Sequence, residues 1–315
     1  MASNYQNKLK ISQWNANGLR NKISELKEFF YHNNIDIMIV NETKLNSKCR
    51  CSVSGYTCYR KDRDSAGGGV LIYIKNKIPA SEVNFNLKNI EAIGVLVNEL
   101  LVVSAYLPPN KKLLNKELDA IFKAGKQVVL MGDLNAKHEN WNCIDSNPNG
   151  EKLKRLLDKR QYFLLAPDSA THISYCNNHN SSVIDIALVK NISNCNISVI
   201  NDLDSDHLPI LLNLIIKFNE NKNKKILDYS KANWQLFRKQ ITDKTNLKIN
   251  DQLNNIDEVN KAVKNLTIVI NTAMQNSIPV TTLKNFQDRL NREIKNLIKI
   301  RNKTRRKYQR NKSTN

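Results

Sequence analysis

Short β-rich apolar runs that alternate with segments of helical spacing constrain the first 216 residues more than any other feature. Leu9–Trp14, Ile35–Val40, Val70–Ile74 and Val128–Met131 are too short for helices and are bounded by turn-type residues, so they read as strands. Leu19, Ile23, Leu26 and Phe30 recur instead at helical spacing. Ala92–Val97 and Leu100–Tyr106 flank Asn98-Glu99, the pattern of a hairpin. Helices are expected over Leu114–Ala124 and around Leu153–Leu157. Further strands fall around Tyr162–Leu165, Val183–Val189, Ile197–Ile200 and His207–Ile216. Strands and helices mixed in this way predict an α/β sandwich with two sheets.

Past Ile216 the pattern changes. Phe218–Lys225 is an Asn/Lys-rich linker, and Ala232–Ile241, Ile256–Met274 and Leu283–Arg310 read as helices with few strand signals. The chain therefore divides into a body, residues 1–216, and a basic, mostly helical region, residues 217–315. Charge follows the same boundary. Of 49 Lys+Arg and 29 Asp+Glu, residues 216–315 hold 23 basic and 8 acidic side chains, a net of +15 out of +20. Such an excess points to a polyanion, nucleic acid first, with a solvated helical spacer as the plainer alternative. The run Arg301-Asn302-Lys303-Thr304-Arg305-Arg306-Lys307 makes Lys303, Arg305 and Arg306 the expected phosphate contacts. No window approaches the roughly 18 apolar residues of a membrane span, so no membrane partner is expected. Met1–Lys10 lacks the apolar core of a secretory signal, and the six cysteines show no metal-ligand spacing. Reduced thiols in an intracellular protein, with access to cytoplasm and nucleus, are the expectation.

Chemistry gathers where strands end. Asn15, Glu42, Tyr106, Asp133, Asn135, Asp185, Asp206 and His207 stand at or just beyond apolar runs, where loops carry function on a rigid scaffold. Each alone is a cap or turn residue. Together they form an oxygen-rich set with one histidine, which suits hard Mg²⁺ (Mn²⁺ as substitute) better than zinc. A histidine whose tautomer a carboxylate fixes works near neutral pH, and a divalent cation stabilises a leaving oxygen. Metal-assisted phosphodiester hydrolysis uses all of these parts.

The ordered strings Trp14-Asn15-Ala16-Asn17-Gly18-Leu19-Arg20, Asn41-Glu42-Thr43-Lys44, Tyr106 before Pro108, Gly132-Asp133-Leu134-Asn135, Ile184-Asp185 and Ser205-Asp206-His207 resemble the endonuclease–exonuclease–phosphatase superfamily. More narrowly, residues 8–216 look like the apurinic-endonuclease-type domain of non-LTR (LINE-type) retrotransposons. Gly132–His138, Trp141 and Asn147-Pro148-Asn149-Gly150 are similar to jockey-like elements. The resemblance implies a four-layer sandwich of two mixed β-sheets flanked by helices. It places Glu42 on the principal metal ligand, Asn15 on the residue holding the metal site, and Asp206 on a second acid beside the metal. His207 falls on the histidine that contacts the scissile phosphate, oriented by Asp185. Asp133 and Asn135 fall on the pair that handles the attacking water, and Tyr106 on a phosphate-contacting tyrosine. Whether Asp133 or His207 takes the proton is left open. Asn17, Arg20 and Thr171 match positions at the DNA.

Abasic-site repair enzymes carry Asp where this chain has Asn17, which argues against repair and for a retroelement enzyme. The resemblance implies a nick in one strand of double-stranded DNA, leaving a 3′-hydroxyl that primes reverse transcription. It also implies a reverse transcriptase in cis, and element RNA met through the basic region. Abasic-site endonuclease, small-molecule phosphatase and a non-catalytic nucleic-acid-binding module are the alternatives. His32, His138, His172 and His179 are read as non-catalytic.

Overall fold

The computed structural model describes residues 7–63, 67–174, 180–216, 225–244, 255–282 and 291–313. Its first stretch runs β1 (Asn7–Asn15), α1 (Ile23–Asn33), β2 (Ile37–Asn41), β3 (Tyr56–Lys61), β4 (Val70–Lys75), β5 (Ser81–Asn84), β6 (Glu91–Val97) and β7 (Leu100–Tyr106). There follow α2 (Asn115–Lys123), β8 (Gln127–Asp133), α3 (Pro148–Leu157), β9 (Phe163–Leu165), β10 (Asp185–Lys190), β11 (Cys195–Val199) and β12 (Ile210–Ile216).

Two six-stranded sheets form, ordered β11-β12-β1-β2-β4-β3 and β5-β6-β7-β8-β10-β9. Each holds one parallel pair, β1 with β2 and β7 with β8, and is otherwise antiparallel. Strand alternation explains the apolar runs. In β2, Ile37 and Ile39 face the layer between the sheets, while Met38 and Val40 pack outward with Leu26, Phe29 and Phe30 of α1. In β8, Val129 and Met131 face inward, while Val128 and Leu130 meet Leu118, Ile121 and Phe122 of α2 and Leu153 of α3. Strands covered on both faces must be apolar throughout. The result is the expected four-layer sandwich: helix, sheet, sheet, helices.

Local signals account for the boundaries. Asn34 ends α1 in the left-handed region, φ 51°, where its N–H bonds to Phe30 O and Tyr31 O. Asn98, φ 52°, makes the two-residue turn between β6 and β7. Asn147 caps α3 by accepting from Gly150 N, and Pro148 takes the first helical position. Two strands escaped the apolar pattern, β3 and β5. Both lie at sheet edges, half-buried or exposed, and their polar residues mask the period.

The remainder contains β13 (Lys225–Leu227), α4 (Trp234–Lys244), α5 (Ile256–Ser277), β14 (Val280–Thr282) and α6 (Arg292–Ser313). Two compact units result, residues 1–221 with 286–315, and residues 222–285. The expected basic region is thus divided. In the second unit, α4 packs with α5, and β13 pairs antiparallel with β14, a ribbon the composition did not signal. The last helix, α6, belongs with the body. Within the described residues it spans Arg292–Ser313, and the expected helical stretch 283–290 lies outside them. Among the described residues no helix is long and apolar enough to cross a membrane.

Candidate active site

Strand register brings the polar residues to one end of the sandwich. In one sheet Asn15 pairs with Asn41, beside Glu42. In the other, Tyr106 pairs with Asp133, which pairs in turn with Asp185, so three neighbouring strands present a row of functional groups. A buried amide network ties the sheets together. Gln13 Nε2 donates to Asp185 Oδ1 at 2.8 Å and Asn41 Oδ1 at 2.9 Å. Asn41 Nδ2 donates to Ser104 Oγ at 3.1 Å, and Asp133 N to Asn41 Oδ1 at 3.2 Å. Gln13, Asn41 and Ser104 are fully buried. Burying such groups unpaired is costly, so the network fixes the spacing of the sheets at the site. Its signal in the sequence was parity: Gln13 continues the inward face of Leu9 and Ile11.

Asn15 stands between two acids, its Nδ2 donating to Glu42 Oε1 at 3.0 Å and Asp133 Oδ2 at 2.9 Å. Its oxygen accepts from Asn17 N at 3.0 Å. Glu42 (φ 47°), Asn17 (φ 44°) and Asn135 (φ 45°) all adopt left-handed backbone, and for glutamate this is strained. Glu42 is only partly buried, with Lys44 Nζ at 3.7 Å. Burial, then the charge of Glu42 and a hydrogen bond to it, push the Tyr106 phenol well above its ordinary pKa, so it remains a donor. Asn135 N donates to Asp133 Oδ1 at 3.0 Å, and Asn135 Nδ2 to Leu107 O at 2.9 Å. Asn147 Nδ2 holds Asn135 O at 2.9 Å, so the Asn-Pro-Asn-Gly string anchors this loop.

His207 is the centre of charge. Its Nδ1 lies 2.7 Å from Asp185 Oδ2 and its Nε2 3.8 Å from Asp133 Oδ2, with both acids buried. Burial disfavours the imidazolium, but the charge and hydrogen bond of Asp185, then the charges of Asp133 and Asp206, outweigh it and hold His207 up to about 10. Burial, with Asp185 adding, pushes Asp133 up to about 7 against the pull of His207. Asp206 accepts from Ser205 Oγ at 3.0 Å and Asn17 Nδ2 at 3.3 Å. Despite burial, contacts from His172, His207, Ser205 and Asn17 hold it below the usual carboxylate range.

Two sequence readings change. Thr171, matched by the resemblance to a position at the DNA, is fully buried. Its Oγ1 accepts from Ile184 N at 3.2 Å and Asp185 N at 3.1 Å, which fixes the start of β10 behind the site. His172, read as non-catalytic, lies at the site: its ring is 4.7 Å from that of His207, and its Nε2 3.8 Å from Asp206 Oδ2. Backbone bonds Ile173 N to Asp206 O (2.8 Å) and Leu208 N to Thr171 O (2.7 Å) bring it there, a long-range pairing invisible to local pattern. Asn17 is exposed and donates to Asp206, Arg20 is exposed, and Lys303 is exposed on α6. Arg305 is not free for phosphate, because its guanidinium bonds to Leu203 O. The Arg306 side chain lies outside the described residues, as does His179.

Two groups of side chains could hold a metal ion. His172, Asp206 and His207 form one group, and Asp133, Asp185 and His207 another, with potential ligand atoms within 4.8 Å of each other. Glu42 adds a partly exposed carboxylate linked to Asp133 through Asn15. Four carboxylates around one imidazolium leave excess negative charge with mostly oxygen donors, which fits a hard divalent cation.

Residues 100–211 match a family model described as Endonuclease-reverse transcriptase. The chain is 30% identical over 213 residues to the RNA-directed DNA polymerase from mobile element jockey of Drosophila melanogaster, covering 64% of this chain and 23% of that protein. It is 27% identical over 279 residues to the probable RNA-directed DNA polymerase from transposon BS of the same species, covering 85% and 31%. The chain thus spans less than a third of these relatives. Among solved structures, the endonuclease domain of TRAS1, a telomere-specific non-LTR retrotransposon, shares the fold (TM-score 0.53, 18% identity, 66% of this chain, 99% of that one). So does an AP endonuclease from Archaeoglobus fulgidus (TM-score 0.52, 17% identity, 66% and 100%). The chain is thus similar to the Endonuclease-reverse transcriptase family over residues 100–211 and to part of jockey-type RNA-directed DNA polymerases, and it shares the fold of AP endonucleases.

Proposed function

We propose that the body is a Mg²⁺-dependent DNA endonuclease that nicks one strand and leaves a 3′-hydroxyl from which retroelement RNA is reverse transcribed. The observation that carries this reading is the buried line Asp185–His207–Asp133, 2.7 and 3.8 Å, joined through Asn15 to partly exposed Glu42. Glu42 and Asp206, with Asn15 holding the acids in place, would bind the cation. When bound, Mg²⁺ neutralises the phosphate and stabilises the leaving oxygen.

The chain's own groups supply the rest. Asp185 fixes the imidazole through Nδ1, so Nε2–H faces the reaction side. His207, kept cationic, donates to a non-bridging phosphate oxygen. Asp133, raised toward neutrality, takes the proton of the attacking water, and Asn135 N–H holds its other oxygen. Tyr106 donates to the same phosphate. Asn17 and Arg20, exposed at the rim, meet the DNA backbone. The exposed lysines of the basic region, Lys303 among them, add salt-dependent attraction to DNA or RNA.

A substrate comparison tests this. An intact duplex should be nicked at least as fast as one carrying an abasic site, and the product should be extended by a polymerase without trimming. A strong abasic preference would assign the site to repair, and cleavage of inositol phosphates alone to a phosphatase.

A further inference from the structure

Among the described residues the most basic helix, α6, is bound to acids of α1 and of the turn that leads to Asp206. Lys295 of α6 lies 3.1 Å from Glu28. Arg301 forks onto Glu25, its Nη1 donating to Oε2 at 3.1 Å, and stands 3.8 Å from Asp204. Asn302, buried, donates from Nδ2 to Asp202 Oδ1 at 2.7 Å. One turn on, Arg305 bonds to the carbonyl of Leu203.

The turn so gripped is strained. Leu203 has φ 58°, a left-handed conformation unfavourable for a branched side chain, and its side chain is fully buried in the outer core. Asp202 Oδ1 accepts from Leu203 N at 2.8 Å as well as from Asn302, so the same oxygen holds the bend from both sides. Two residues later Ser205 Oγ accepts from His207 N at 3.2 Å and donates to Asp206 Oδ1 at 3.0 Å. The path from α6 to the site is therefore short: Asn302 and Arg305 hold residues 202–203, and that turn sets where Asp206 and His207 begin.

We propose that α6 is a brace for the active-site turn, and that Asn302 and Arg305 are positioning residues for the nicking reaction. This rests on the endonuclease reading above. A polyanion-binding helix would leave its arginines to solvent; here Arg301 and Arg305 are turned onto the body while Lys303 and Lys307 remain exposed. A fixed turn keeps His207 within reach of both acids, and a misplacement of about 1 Å costs on the order of 100-fold in rate.

The test compares the full chain with Asn302→Ala, Arg305→Ala and Arg305→Lys, reading nicking kinetics and amide hydrogen exchange over residues 203–207. The brace predicts kcat about tenfold or more lower for both alanine variants, KM for duplex DNA unchanged, and faster exchange in the turn. Arg305→Lys, which keeps a donor for Leu203 O, should recover most of kcat. A raised KM with a flatter salt dependence and unchanged kcat would instead make α6 a DNA-binding helix and overturn the proposal, as would unchanged exchange. Should Arg305→Ala not fold, Asn302→Ala carries the same two readouts. Exchange does not depend on nicking, so faster exchange in a chain whose wild type cannot nick would sink the endonuclease reading and leave the brace standing.

Discussion

Replacing His207 with alanine is expected to lower single-strand nicking by about two to three orders of magnitude, the usual loss when one preorganised donor to the reacting group is removed. The substitution removes the only imidazole lying between Asp185 and Asp133, and with it the cation offered to the phosphate. It also leaves two buried acids without their counter-charge. Asp185 would retain Gln13 and Thr171, and Asp133 would retain Asn15 and the Asn135 N–H. Uncompensated buried charge is strongly destabilising, at about 3 to 5 kcal/mol. The rate must therefore be read with a melting curve, and Asp185→Asn is the informative partner. That change keeps the neighbours and removes a charge, so it should lose less activity than His207→Ala. Single-turnover nicking within tenfold of wild type for a folded His207→Ala protein would contradict the assignment.

Gly132→Ala is expected to be among the most destabilising single methyl additions to the body, matched only by Gly150→Ala, whose Cβ would likewise meet a backbone carbonyl, that of Lys137. Gly132 sits opposite Ala105 in the parallel β7–β8 pair, one residue before Asp133. A Cβ there would overlap the carbonyl of Ala105, a backbone group that cannot swing aside. Overpacking that side chains can absorb typically costs about 1 to 3 kcal/mol, and a backbone clash should exceed that. Either β7 and β8 separate, which moves Tyr106 away from Asp133, or the chain unfolds. Gly94→Ala in β6 is the control. Its Cβ would meet only side chains, Leu101 and Phe85 at 3.1 Å and Val83 at 3.4 Å, and they can shift. Denaturant unfolding should place Gly132→Ala well below Gly94→Ala; equal midpoints would mean that β7 and β8 are not paired as described.

Most of the fold was legible because strands buried on both faces leave continuous apolar runs, as in Ile37–Val40 and Val128–Met131. The edge strands were not, since Tyr56–Lys61 and Ser81–Asn84 need little apolar surface. In the site, residues that end strands showed themselves, and register then brought Tyr106, Asp133 and Asp185 into one row. Three kinds of residue stayed hidden. Gln13 and Ser104 lie inside apolar strands, and only their polarity at an inward position hints at a network. His172 reaches the site through pairing with residues ten and more positions away. Thr171 matched a DNA-contacting position of the resembling elements, but burial assigns its hydroxyl to the backbone of β10. Charge was informative only in part, since Lys303 of the same run stays exposed. The basic run at 301–307 suggested phosphate, while Arg301 and Arg305 are spent on acids and a carbonyl of the body.

The central claim, that the Glu42–Asn15–Asp133–His207 constellation hydrolyses DNA with a divalent cation, is tested most directly by plasmid nicking. Supercoiled plasmid should convert to open circles in Mg²⁺ and stop converting on addition of EDTA, with activity restored by excess Mg²⁺. Nicking that proceeds undiminished in EDTA, or a wild-type chain that leaves the plasmid supercoiled in Mg²⁺, would contradict it.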